Sequence, residues 1–214
     1  MDATGLDRLR SEWTELLRSL AVPEAAAAVG FDELAAAYAE TGRAYHNLDH
    51  VAAVLDTVAG LADAARDLAA VRLAAWFHDA VYDPRVGDNE ERSAALAEER
   101  CLAWGIPRTV TGTVVRLILA TKTHQADDGD RDALVLLDAD LAILGAPPDE
   151  YDRYSRAIRQ EYAWVPEEDY RQGRVKILRS FLRRRQLFRL EKMRALREAA
   201  ARDNLGREAA DLGG

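Results

Sequence analysis

Three features of the 214-residue chain predict an all-α fold. Alanine is abundant and runs of β-branched residues are rare, a balance that favours helix over strand. Apolar residues recur at three- and four-residue spacing through most of the chain, as in Leu9, Trp13, Leu16, Leu17 and Leu20. Breakers separate these runs, among them Pro23, Gly42, Gly105, Pro107, Gly145 and Pro166. The hydrophobic content of 49% is enough for a core, and no linker divides the chain. The expectation is therefore one compact domain over 1–214, built of about eight to nine helices.

Taken in order, the spacing predicts a first helix over 5–20. Pro23-Glu24 is a favourable start for a second, running to about Glu40 before Thr41-Gly42-Arg43 breaks it. The polar stretch Tyr45-His46-Asn47-Leu48-Asp49-His50 leads into a third helix with Val51, Val54, Leu55, Val58 and Leu61 on one face. Asp67 is a candidate N-cap for a central helix over Leu68 to Tyr82. Asp88 can cap the next helix, with Glu90 and Glu91 in its first turn, and that helix stops at Trp104-Gly105-Ile106-Pro107. Another follows from about Pro107 to Thr123, and His124 opens a polar loop. A short helix over 131–144 closes at Gly145. Two longer helices span roughly 148–164 and 166–187, a last one runs over 191–201, and the tail is expected to fray.

Charge and composition exclude several classes. The net charge of -8 argues against broad contact with nucleic-acid phosphates. Residues 171 to 197 nevertheless hold eleven of the 29 Lys and Arg and one acid, Glu191. Such a stretch is most simply a set of solvated helix faces answering the acidic body of the same chain, or of a second copy in a homodimer. The competing reading is a field that attracts an anionic substrate. Cys101 is the only cysteine, so no internal disulfide can form and a reducing, cytoplasmic setting is expected. No apolar run approaches the ~18 residues needed to span a membrane, and the N-terminus has no signal-peptide pattern.

The chemistry concentrates around the central helix. Its stretch LAAVRLAAWFHDAVY is apolar almost all round, which marks a buried helix. Asp79 then needs a partner, because a carboxylate carried into a core is costly alone. Two readings stand at this point: a divalent cation satisfying His78 and Asp79, or a His-Asp pair at the place where the helix surfaces. His46 and His50 are four residues apart and project from one helical face. With Asp138-Ala139-Asp140 they complete a set of imidazoles and carboxylates suited to Mn, Fe, Co, Ni or Zn, with Mg also open. Few protein ligands leave positions for water and substrate. Within the Asp-Ala-Asp stretch, helical phase separates the two acids: Asp140 lies about 40° from the centre of the apolar cluster and Asp138 about 120° away, at roughly 100° per residue. Asp140 is therefore expected in the core and Asp138 nearer the rim.

His50, then His78-Asp79, then an Asp within Leu-Asp-Ala-Asp-Leu resembles the H…HD…D pattern of the HD superfamily of metal-dependent phosphohydrolases. Tyr45 to His50, Phe77 to Tyr82, Asn89-Glu90, Asp138 to Leu141 with Leu144-Gly145, and Glu161-Tyr162 are similar to a bacterial branch of predicted HD hydrolases. The resemblance covers about residues 30–185 as an HD-like core, leaving a basic helical extension over 186–205. It implies an all-helical fold, a metal held by His50, His78, Asp79 and an Asp of the 138–140 stretch, and hydrolysis of a small phosphate ester, in many members a nucleotide.

The expected mechanism is in-line attack on phosphorus by water activated at the metal. Lys122 and Arg85 are candidates to stabilise charge on the phosphoryl oxygens, against the simpler reading of surface charge for each. Glu90 is a candidate to orient the water or accept its proton, or is only a first-turn helix acid. His124 is a candidate to protonate the leaving group or bind a second metal, or is a loop histidine. Two other classes stay open: a metal- or nucleotide-binding regulatory protein without turnover, and an iron oxygenase on the same scaffold.

Overall fold

The computed structural model describes residues 2–213. All regular structure in them is helical: ten α-helices and two short 3₁₀ turns. They fall into two compact units, one up to Leu137 and one from Asp138 onward, and the division lies inside a single helix.

The first unit holds α1 (Ala3–Ser19), α2 (Glu24–Tyr38), α3 (Leu48–Gly60), α4 (Leu68–Phe77), α5 (Asn89–Ala103), α6 (Arg108–Thr121) and most of α7 (Arg131–Asp140). Helix α4 is its centre, packing against α3, α5 and α6, while α1 pairs with α2. As expected, every residue of α4 from Ala70 to Phe77 is buried except Arg72. Asp67 caps it, its carboxylate accepting from the Ala70 N–H at 2.9 Å. A second carboxylate, the buried Asp132, accepts from the N–H groups of Arg66 and Asp67 at 2.6 and 3.0 Å and ties α7 to the same helix start.

The aromatic core explains the α2 sequence. Trp13 meets Trp76 and Trp104 edge-on, with ring centroids 5.2 and 5.7 Å apart, and donates its indole N–H to the Ala27 carbonyl at 2.7 Å. A Cβ on Gly30 would stand 2.7 Å from the Trp104 ring, so the close pass of α2 over that ring requires glycine. Tyr38 closes α2 by donating its hydroxyl to the Trp76 carbonyl at 2.9 Å.

The second unit holds the end of α7, a 3₁₀ turn over Leu141–Gly145, α8 (Pro148–Glu161), α9 (Glu167–Leu182) and α10 (Glu191–Gly213). Helix α10 packs on α9 and on the 141–145 turn. That packing is close enough that a Cβ on Gly145 would stand 2.6 Å from the Arg197 carbonyl oxygen and Cβ.

Four expectations need correction. The described helices number ten, not eight to nine. The central helix ends at Phe77 rather than Tyr82, because 78–82 turns away to meet Ser93 of α5 and Arg43 of the loop that follows α2. Asp88 precedes α5 but its side chain makes no capping hydrogen bond. The last helix continues to Gly213 rather than fraying after Ala201. Its continuation is held by polar residues that interrupt the apolar stripe. Buried Asn204 donates to the carbonyls of Leu144 and Ala146 at 3.0 and 2.9 Å. Buried Glu208 accepts from Arg174, Ser155 and the Tyr151 hydroxyl. Among the described residues no helix is long and apolar enough to cross a membrane.

Candidate metal centre

His50 stands in the first turn of α3. Asn47 starts that helix, its side-chain oxygen accepting from the Asp49 N–H at 2.8 Å while its amide donates to the Ala44 carbonyl at 3.1 Å. This doubly anchored cap sets the rotation of α3 and buries the His50 ring. His78 is the C-cap of α4 and is 1% exposed. Its Nδ1 lies 2.8 Å from the Ala75 carbonyl. A carbonyl can only accept, so Nδ1 carries the proton and Nε2 presents its electron pair, the arrangement that orients metal-binding histidines.

That Nε2 faces the Nε2 of His50 at 3.0 Å. The Asp79 Oδ2 completes the group, 3.1 Å from His78 Nε2 and 3.6 Å from His50 Nε2. Electron-pair donors this close repel one another unless positive charge lies among them, either a proton on an imidazole or a cation. Burial disfavours the ionised Asp79, but when the neighbouring imidazoles are protonated the charges of His78 and His46, a hydrogen bond from His78 and the charge of His50 outweigh it. The carboxyl is therefore held well below its ordinary range and is anionic at neutral pH. Two imidazole nitrogens and one carboxylate oxygen converging in this way form a His/His/Asp cluster that could hold a divalent metal ion.

The turn carrying Asp79 is clamped from α5. Ser93 accepts from the Val81 N–H at 3.1 Å and donates to the Val81 carbonyl at 3.2 Å. Asn89 does the same for Asp83, at 3.0 and 2.9 Å. His46 stacks on Tyr82, with ring centroids 4.2 Å apart.

No family model matches the chain, and no curated protein or solved structure matches it either. The structure itself thus carries the case for the metal centre.

The remaining expected residues are placed as follows. Asp140 is the last residue of α7 and half-buried. Asp138 is the reverse of the helical-wheel expectation: it is 1% exposed and not at the rim. Its carboxylate accepts from the Arg189 N–H at 2.8 Å and the Leu190 N–H at 2.7 Å, immediately before α10. The wheel failed because every residue from Asp132 to Ala139 is buried, so the helix has no single apolar face to take a phase from. Burial pushes the Asp138 carboxyl up to about 6, against the two backbone N–H groups that favour its charge.

Glu90 is half-buried in the first turn of α5. Lys122 follows α6 and is paired, donating to the Gly87 carbonyl at 2.7 Å and to the Glu91 carboxylate. Arg85 is exposed in the loop before α5, and its N–H is accepted by the Asp83 carboxylate at 2.9 Å. His124 is half-buried at φ 49°, in the left-handed region, where the chain leaves α6 with the His124 N–H bonded to the Ala120 carbonyl.

One residue beside the cluster has no sequence signal beyond its place in a turn. Arg43, at the end of the Thr41-Gly42-Arg43 break, is almost wholly buried against the turn that carries Asp79. Only its position between a helix end and a histidine-rich stretch could have drawn notice.

Proposed function

We propose that the chain is a metal-dependent phosphohydrolase of HD type, acting on a small phosphate ester such as a nucleotide. The observation that carries this reading is the convergence of His50 Nε2, His78 Nε2 and Asp79 Oδ2 within 3.0–3.6 Å. Asp140, the last residue of α7, is proposed as the fourth ligand. The residue order His50, His78-Asp79, Asp140, which resembles the superfamily pattern, supports the same set. A divalent ion bound there would supply Lewis acidity toward water and a phosphoryl oxygen.

The chain's own residues would do the rest. His78, with Nδ1 committed to the Ala75 carbonyl, keeps Nε2 free of a proton. Asp79 supplies negative charge without titrating near neutral pH. Lys122 would exchange its Glu91 partner for a phosphoryl oxygen, and Glu90 would accept a proton from the attacking water. His124 would protonate the leaving oxygen.

The test is a panel of nucleotides and sugar phosphates offered to chain stripped of metal and reloaded with Mn, Co, Fe, Ni, Zn or Mg. Release of phosphate or nucleoside that chelator abolishes and Mn or Co restores is the expected result. Metal binding with no ester cleaved under any ion rejects the hydrolase and leaves a binding protein.

A further inference from the structure

We infer that Arg43 is a positioning residue for the metal centre, a buried guanidinium that locks the turn bearing Asp79 to the segment that leads into the helix bearing His50. The inference rests on the metal reading of the cluster.

Helix α2 ends at Tyr38, and Gly42 at φ 103°, a conformation open to glycine, turns the chain back. Arg43 follows with a side chain only 2% exposed. Its Nη1 donates to the Asp79 carbonyl at 2.6 Å and the His46 carbonyl at 3.3 Å, and its Nη2 donates to the Ala80 carbonyl at 2.9 Å. Carbonyls just beyond a helix end are those the helix cannot satisfy itself. Here one planar fork gathers two of them, from the 78–82 turn, together with one from the stretch that ends at Asn47, the α3 cap.

The two histidine-bearing segments are thus joined through a single side chain. The clamp from Ser93 and Asn89 holds residues 81–83, and Arg43 holds 79 and 80. Between them the backbone around Asp79 is held on both sides, which limits where its carboxylate can point. Tyr38 and Tyr82 lie at either side of the guanidinium, 5.3 and 5.6 Å from its centre to their ring centroids, and shield it. The anion nearest it is Glu40, 3.1 Å away and 60% exposed, a weak partner for a buried cation. A buried arginine spent mainly on backbone carbonyls is therefore holding geometry rather than pairing charge. Lysine would keep the charge but lose the fork, so it could not span the three carbonyls together.

The experiment titrates Co(II) into the apo full-length chain and into Arg43→Lys, Arg43→Gln and Glu40→Ala, following Co(II) absorbance, with far-ultraviolet circular dichroism recorded at the same temperature. Supporting-residue changes at metal sites weaken binding about 10–100-fold. Arg43→Lys and Arg43→Gln should each weaken Co(II) binding within that range while helical ellipticity is kept. Glu40→Ala removes the exposed carboxylate that accepts from Arg43 Nε and Nη2, so the fork loses its outer anchor and Co(II) binding should weaken, by less than in the Arg43 variants. Wild-type affinity in folded Arg43 variants overturns the inference. If the Arg43 variants do not fold, the Glu40→Ala affinity decides: a drop supports the inference, and an unchanged value overturns it. A wild-type chain that binds no Co(II) overturns the metal reading itself, which is a different result from wild-type binding that Arg43 does not affect.

Discussion

The Nε2 atoms of His50 and His78 face each other at 3.0 Å, although the residues lie 28 positions apart on different helices. With His78 Nδ1 bonded to a carbonyl, at least one of the facing nitrogens offers an electron pair to the other. Asp79 supplies the anionic edge of the same group. Asp79→Asn keeps the shape and removes that charge. The expected result is loss of bound metal, by roughly a hundredfold or more in affinity, beyond what a supporting residue costs. Helical circular dichroism should be retained, since the side chain is 18% exposed and its backbone anchors are untouched. Metal analysis showing full occupancy in this variant would remove Asp79 from the ligand set.

Asp138 and Asp140 should separate by phenotype. Asp138 receives two backbone N–H groups in a buried position, so Asp138→Asn turns a donor toward donors. The expected cost is about 1–3 kcal/mol of stability, read as a lower denaturant midpoint with metal binding preserved. Asp140→Asn should do the opposite, losing metal and keeping the midpoint. Metal lost from Asp138→Asn but held by Asp140→Asn would reverse the assignment.

In the second unit, Arg174 and Glu208 form an ion pair with both side chains 8% exposed. Arg174→Met strands the carboxylate, leaving it Ser155 and Tyr151 alone. Breaking a buried pair from one side costs about 3–5 kcal/mol. The double variant Arg174→Met/Glu208→Leu should recover much of that loss, and a thermal melt of the three proteins measures it. Equal melting temperatures for single and double variants would show that the pair carries no coupling.

Cys101 is buried in α5, and burial pushes its thiol up to about 12. Thiolate is the reactive form, so a thiol reagent at pH 8 should label the native chain very slowly and the denatured chain fast. The linkage has a definite sign. Below the ordinary value of 9.0 neither state ionises and the contribution is complete. Between 9.0 and about 12 the unfolded chain releases a proton that the folded chain keeps, so stability falls as pH rises through that window. Rapid labelling of the native chain at pH 8 would contradict a buried thiol.

Much of this was legible in the residues. The breaks at Pro23 and Gly105-Pro107 lie between the observed elements, Gly145 ends the 3₁₀ turn that follows α7, and Asp67 caps α4 as its type and place suggest. The residue types of His50 and the His78-Asp79 pair, and their order, which resembles the superfamily pattern, pointed to one cluster, and their contacts at 3.0–3.6 Å bring them together. The sequence does not mark the end of α4, because 78–82 holds no glycine or proline and Ala80, Val81 and Tyr82 prolong the run, and only the pull of Arg43, Ser93 and Asn89 shows that the chain turns there.

By itself the sequence determined that the chain is helical, where most helices begin, and which side chains can ligate a metal, because these depend on propensity, capping and residue chemistry within a few positions. Tertiary structure decided what depends on partners far along the chain. Asp138 is buried because N–H groups 51 and 52 residues away need its carboxylate. Arg43 is buried because carbonyls 36 and 37 residues away need its guanidinium. Helix α10 runs to Gly213 because Glu208 meets an arginine 34 residues before it. In each case a polar group is drawn inward by a hydrogen-bonding requirement that helical periodicity does not record.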